Sequence, residues 1–210
     1  MNQMPPSDAA ELFECKREAV LRAAKQLFIA QGYGATSMDA IAAAAGVSKA
    51  TVYAHHAGKK ALFAAVTRAE CQRVTASMAV ADDIESLTLG PALRQIAASF
   101  MEAICAPQSL ALLRMVATES NRFPELGAIF YDCAPGQTLT SVTTYLERLR
   151  ARGLIDAADC ETVAAQFLGA VRGDVHLRAV LGLSIETGDR TALIEAAVAT
   201  FVARYATQPR

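Results

Sequence analysis

Between residues 36 and 59 the chain gathers groups that suit a polyanion better than a substrate. The Lys49 ammonium can donate to O6 and N7 of guanine, and the methyl groups of Ala50 and Thr51 can pack on a thymine methyl. Thr36, Ser37 and Ser48 bring hydroxyls to expected helix N-termini, where free backbone N–H groups already favour an anion. Tyr53 and His55 add donors on the far side, and Lys59 opens the next helix. The chemistry open to this set is contact with base edges and phosphates, and each residue taken singly could equally be a helix cap or a solvated side chain. Catalytic motifs are missing: the sequence has no GxSxG, HExxH, Walker-type loop or dinucleotide fingerprint. No catalytic residue is assigned, and the chain is not read as an enzyme.

The elements that must position these groups are short helices. Val20, Ala24, Leu27 and Phe28 lie on one face of a helix over 16–31, which Gly32 ends. Thr36-Ser37 caps a short helix to about Ala44, and Ala45-Gly46-Val47 breaks it. Ser48 caps a second short helix from Lys49 to about Ala54, and a longer helix runs from Lys59 to about Met78. Two short helices across a tight glycine turn, braced by a preceding helix, have the proportions of a helix-turn-helix. Small residues at Ala42, Ala45 and Gly46 allow a close crossing, which Val47 plugs.

Charge supports this division. The formal net charge of −1 conceals −3 over residues 1–15, +6 over 16–73 and −4 over 74–210, and all five lysines fall in the middle block. A basic head joined to a larger acidic body suits an anion-binding head on a body doing something else, and by charge alone a solvated basic face with no partner fits equally well. With 44 alanines in 210 residues and no tryptophan, the composition favours an all-α protein. Length is enough for about one or two domains without a disulfide or metal staple. Cys15, Cys71, Cys105, Cys133 and Cys160 are an odd set with no CxxC spacing, and they read as thiols of a reducing compartment. No apolar run reaches the ~18 residues of a membrane span. The N-terminus lacks the order of a signal peptide, so a cytoplasmic location without membrane partners is expected. No metal site and no cofactor are expected.

The stretch Ala23-Ala24-x-x-Leu27-Phe28-x-x-x-Gly32-Tyr33-x-Ala35-Thr36-Ser37-Met38-x-x-Ile41-Ala42-x-x-Ala45-Gly46-Val47-Ser48-Lys49-x-Thr51-x-Tyr53-x-His55-x-x-x-Lys59-x-x-Leu62-Phe63 closely resembles the DNA-binding domain of TetR/AcrR-type transcriptional regulators. The resemblance implies phosphate or base contacts at Thr36, Ser37, Ser48, Lys49, Thr51, Tyr53, His55 and Lys59, and Ala50 shares the reading helix with them. Two residues depart from the pattern. His56 stands where a phenylalanine usually packs beneath the short helices, and Gly58 where a serine commonly caps the next one.

After a polar loop at 82–91, helices are expected at about 91–105, 107–121, 124–133, 135–152, 159–183 and 189–206. The last two are apolar on more than one side. Leu168, Val175, Ile194, Val198 and Val202 make up a second face, and Gly169 and Gly173, four apart, form a flat patch. A second copy of the chain is the natural cover, through an isologous four-helix contact. The regulator resemblance implies the same homodimer, reading two half-sites of a near-palindromic double-stranded operator.

The run Leu112-Leu113-Arg114-Met115-Val116-Ala117-x-Glu119-x-x-Arg122-Phe123-Pro124-Glu125-Leu126, with Phe130-Tyr131, Gln166-Phe167-Leu168-Gly169 and Gly173-Asp174, is similar to the C-terminal domain of the AefR-like subgroup. That similarity implies a pocket for a small apolar or aromatic inducer. Lining could come from Phe100, Met101, Met115, Phe123, Phe130, Tyr131, Tyr145 and Phe167, although ordinary core packing explains each aromatic as well, and polar anchors from Arg114, Glu119, Asn121, Gln166, Asp174 and His176. Asp174, placed on the core side of its helix, is expected to pair with Arg178 or Arg114. The expected architecture is all-α: a flexible segment at 1–15, a three-helix DNA-binding domain at 16–80, and a ligand-binding and dimerisation bundle at 81–210.

Overall fold

A computed structural model describes residues 8–78 and 88–207. The segment 1–7 and most of the polar loop read at 82–91 lie outside the described residues. The chain is all-α. Its helices are α1 (Asp8–Ala35), α2 (Met38–Ala45), α3 (Lys49–His55), α4 (Lys59–Met78), α5 (Leu89–Cys105), α6 (Pro107–Glu119), α7 (Pro124–Cys133), α8 (Pro135–Ala151), α9 (Cys160–Val180) and α10 (Thr187–Tyr205).

The helices form two compact units. One holds the chain up to Glu70 together with Met115–Phe130, and the other holds Cys71–Arg114 with Tyr131–Arg210. Helices α4, α6 and α7 therefore each contribute residues to both units.

In the first unit α1 begins well before residue 16. Glu11, near the start of α1, suits the positive end of a helix. Phe13 continues the apolar spacing that leads to Val20, Ala24 and Phe28. At Gly32 the backbone turns to φ 85°, ψ 159°, a region essentially restricted to glycine, and regular helix is interrupted there as expected. Ser37 Oγ accepts the Ala40 N–H at 3.0 Å to cap α2. Gly46, at φ 67°, closes α2 in the left-handed conformation, and Ser48 Oγ accepts the Thr51 N–H at 3.0 Å to start α3. The core beneath these helices contains Val20, Ala24, Phe28, Ile41, Val52, Leu62 and Phe63, all fully buried. The rings of Phe28, Tyr33 and Phe63 meet one another at centroid distances of 5.5, 5.7 and 5.8 Å. Edge-on aromatic contacts of this kind add about 0.5–1.5 kcal/mol each beyond area burial.

The second unit packs α5, α8, α9 and α10 around Leu93, Phe100, Met101, Leu146, Phe167, Val171 and Phe201. Phe167 meets Phe201 edge-on at 5.3 Å. The segment after α8 is tied to the end of α10 by Asp156 N–H to the Tyr205 carbonyl (2.8 Å) and Thr207 N–H to the Leu154 carbonyl (3.1 Å). These bonds surround the isolated bridge Ile155–Ala206. Within α9, Gly173 adopts φ 45°, ψ −147°, and a Cβ there would lie 2.7 Å from a Leu193 methyl. A glycine is needed at that kink both for its conformation and for the close approach of α10.

Candidate nucleic-acid interface

Helix α3 is only seven residues long, so one buried anchor sets its orientation. Val52 is fully buried in the head core, while Lys49, Ala50 and Tyr53 are exposed and Thr51 and His55 half-buried. Tyr53 is one of the few large rings left 46% exposed. Ser48 and Thr51 share a hydroxyl–hydroxyl hydrogen bond of 2.8 Å, which ties both side chains to the start of the helix. Lys49 Nζ lies 2.7 Å from Oδ1 of Asp39 in the first turn of α2. That hydrogen bond, and then the carboxylate charge, hold Lys49 above the usual lysine range.

Thr36 and Lys59 are turned inward. Thr36 is 2% exposed and its hydroxyl donates to the Gly32 carbonyl at 2.8 Å. Lys59 Nζ donates to the carbonyls of Tyr33 (2.7 Å), Gly34 (3.2 Å) and Thr36 (2.8 Å), and lies 4.5 Å from the Tyr33 ring centroid. Partial burial lowers its pKa, with Glu119 opposing the shift and Arg122 adding to it. A single ammonium thus gathers the carbonyls of the corner between α1 and α2. Ser37, the next residue, is exposed and caps α2.

The same corner is held from the other polarity by the end of α6. Glu119 Oε2 accepts the Gly34 N–H at 3.1 Å, and a Cβ on Gly32 would sit 2.7 Å from Glu119 Oε1. Phe123 meets the Tyr33 ring edge-on at 5.0 Å, and its ring edge would lie 3.3 Å from a Cβ on Gly34. The α6 C-terminus folds back to make this possible, with the N–H groups of Arg122 and Phe123 both donating to the Glu119 carbonyl. Glu119 and Phe123, expected as ligand contacts, are engaged here with the corner between α1 and α2.

At the other end of α3, the Phe13 ring meets the His55 ring at a tilt of 44°, with centroids 4.0 Å apart. His56 ends the helix, its N–H donating to the Val52 carbonyl at 2.9 Å. Burial lowers the His56 pKa, and the charges of His55 and Arg17 lower it further. The Nε2 atoms of both histidines are buried without a hydrogen-bond partner among the described residues. Phe13 and Asp39 went unnoticed in the sequence. The apolar spacing of α1 pointed to Phe13, whereas nothing local pointed to Asp39.

The residues expected to line a ligand pocket divide between the units. Met115, Glu119, Asn121, Phe123 and Phe130 belong to the first, with Met115 buried and Asn121 exposed. In the second, Phe100, Met101 and Phe167 are core residues and Tyr145 packs against that core. Tyr131 is exposed, and Arg114 donates to the carbonyls of Val180 (2.6 Å) and Ala179 (2.5 Å) at the end of α9. Gln166 accepts the Tyr205 hydroxyl at 3.3 Å and borders a cleft of about 350 Å³ with Asp156, Asp159, Thr162 and Arg204. His176 is half-buried, and burial, then Arg172, lower its pKa. The placement of Asp174 on the core side needs correction. The Gly173 kink turns it to solvent, and Arg178 instead pairs with Asp189 at 2.9 Å.

On the expected dimer face, Leu168, Val175 and Val198 are buried within their own unit, Ile194 and Val202 are half-buried, and Gly169 and Gly173 are exposed. The most exposed apolar side chains of α9 and the loop after it are Leu177, Leu181 and Leu183. Among the described residues no cluster of metal-ligating side chains occurs, and no single helix is long and apolar enough to cross a membrane.

The chain is similar to known proteins over most of its length. Residues 20–66 match the family described as bacterial regulatory proteins, tetR family, and residues 91–207 match the AefR-like transcriptional repressor C-terminal domain. The solved structure of the flavonoid-responsive regulator FrrA is 38% identical, covering 92% of this chain and 98% of its own, with a TM-score of 0.79. A TetR-family regulator from Mesorhizobium loti is 28% identical over 93% of this chain and 98% of its own, with a TM-score of 0.82. The fatty acid degradation regulator FadR from Bacillus halodurans, 18% identical over 89% of this chain and 94% of its own, shares the fold at a TM-score of 0.67. No curated protein matches the chain. With both of its domains and nearly its whole length matched, the chain belongs to the TetR family of transcriptional regulators, carrying an N-terminal DNA-binding domain and an AefR-like C-terminal domain.

Proposed function

We propose that the chain acts as a homodimeric repressor that leaves a near-palindromic operator when a small apolar or aromatic molecule binds its C-terminal domain. The reading surface is Ser37, Ser48, Lys49, Ala50, Thr51, Tyr53 and His55. Thr36 and Lys59 hold the corner from which that surface is hung. Two such surfaces must stand roughly 34 Å apart to engage both half-sites.

The observation that carries the reading is the grip of Glu119 and Phe123 on the corner from Gly32 to Thr36. Helix α6 starts among the residues of the C-terminal unit and ends in this grip. A shift of α6 therefore acts on the backbone that leads straight into the α2 cap. A ligand that binds better to the shifted form weakens DNA binding by the same coupling factor. The name of FrrA records a response to flavonoids, and its likeness to this chain supports an aromatic inducer. The exposed Leu177, Leu181 and Leu183, and the half-buried Ile194 and Val202 of α10, supply apolar surface for the second copy.

A gel shift of the purified protein on the intergenic DNA upstream of its gene, with and without a panel of flavonoids and lipophilic compounds, tests this reading. A shifted band released by at least one compound is expected. A band insensitive to the whole panel leaves a DNA-binding protein without the proposed inducer class, and no band contradicts the operator assignment.

A further inference from the structure

The lysine at the front of the reading helix is not free. Its ammonium is held at 2.7 Å by Asp39, an acid on the preceding helix, and both side chains are more than half exposed. An exposed pair contributes little to folding. Its consequence lies in what the surface offers to DNA.

A free lysine is a compact charge on a flexible stem, and any phosphate within reach satisfies it. That contact is independent of sequence and strengthens binding to all DNA alike. Held by a carboxylate, the ammonium keeps two N–H donors, while the neighbouring anion offsets its charge toward a phosphate. Guanine presents O6 and N7 together in the major groove, and its partner cytosine presents an N4 amino donor that a carboxylate accepts. Cation and anion side by side thus match the edge pattern of a G·C pair. The remaining basic groups divide the other work. Lys25 is committed to Glu70 at 2.6 Å and Lys59 to backbone carbonyls, whereas Lys16, Arg22 and Lys60 are exposed and suited to phosphate.

We infer that Asp39 determines specificity: it positions Lys49, cancels its charge toward generic phosphate, and with it reads a G·C pair in each half-site. This rests on the DNA-reading surface proposed above.

The test begins with a duplex selected by the wild-type protein from a random pool. Binding of this duplex and of an unselected random duplex is then measured across a salt series for wild type, Asp39→Asn, Asp39→Glu, Lys49→Ala and the Asp39→Asn/Lys49→Ala double variant. Each selected half-site is expected to contain a G·C pair whose replacement by A·T weakens wild-type binding about tenfold. With Lys49 released, Asp39→Asn should bind the random duplex about fivefold more tightly at ~150 mM salt, with a log–log salt slope steeper by about 0.9. It should also lose most of its preference for the G·C pair. The steeper slope should vanish in the double variant, and Asp39→Glu should retain the wild-type preference. Asp39→Asn with unchanged salt slope and unchanged base preference overturns the inference, even if its melting temperature falls, because Asp39 then serves only the α2 N-terminus. A selection that enriches no sequence overturns the proposed reading surface itself, and the inference with it.

Discussion

Glu119 accepts the backbone N–H of Gly34 at 3.1 Å across eighty-five residues of sequence. Its other carboxylate oxygen occupies the space where a Cβ on Gly32 would stand. Lys59 meanwhile holds three carbonyls of the same turn. The corner that starts the helix-turn-helix is therefore gripped at its donor side by an anion and at its acceptor side by a cation. Charged hydrogen bonds of this kind contribute about 1.5–3 kcal/mol each, more than an exposed ion pair.

Gly32→Ala should be costly for two separable reasons. The φ of 85° with ψ 159° strains an alanine by about 1–3 kcal/mol. The new methyl also meets Glu119 Oε1. Gly127→Ala provides the contrast, because α7 is helical there and a Cβ meets only Ser120 at 3.6 Å. That substitution should stabilise by about 0.4–1 kcal/mol. Urea denaturation of the two variants should give shifts of opposite sign.

His56 supplies a pH dependence. Burial and the neighbouring His55 and Arg17 lower its pKa in the folded protein, so the unfolded chain takes up its proton first as pH falls. Stability attached to neutral His56 is complete above the ordinary imidazole value near 6.5. It declines as pH falls below that value and is lost once the folded protein takes up the proton as well. The melting temperature should drop as pH falls below about 6.5. His56→Phe should flatten that part of the profile.

Asp159 caps α9 through the N–H groups of Glu161 and Thr162 and the Thr162 hydroxyl. Its pKa is depressed, chiefly by the Thr162 side-chain hydrogen bond. The cap is complete above the ordinary carboxylate range and is lost as pH falls through the depressed value. Asp159→Ala should melt below wild type at pH 7, and the gap should close in strong acid. A gap that persists unchanged there would remove the ionised cap as its cause.

Lys49→Ala and Tyr53→Phe should each weaken operator binding while leaving the melting curve in place, because neither side chain is buried. For Lys49 the loss should be about 1–3 kcal/mol on a site that contains its guanine. Fluorescence anisotropy on the selected duplex measures both.

What was legible in the sequence was local. Ser37, Ser48 and Gly46 marked the bounds of α2 and α3 because caps act within three or four residues. The early start of α1 is masked in the sequence because acids near the N-terminus resemble a tail, although Phe13 keeps the helical spacing. Asp174 was misplaced because a helical wheel assumes regular helix, and the Gly173 kink breaks that assumption. Glu119 carried no local mark of its role. Its partner is eighty-five residues away, and an isolated acid at a helix end looks the same whether it meets a ligand or a backbone amide.

The most direct test is the release of a labelled operator duplex by a flavonoid panel, followed by anisotropy for wild type and Glu119→Ala. The grip on Gly34 predicts that the variant still binds the duplex and the compound but loses most of the coupling between them, so the compound no longer releases DNA efficiently. A variant that responds to the compound with the wild-type coupling factor would contradict a role for Glu119 in carrying the signal.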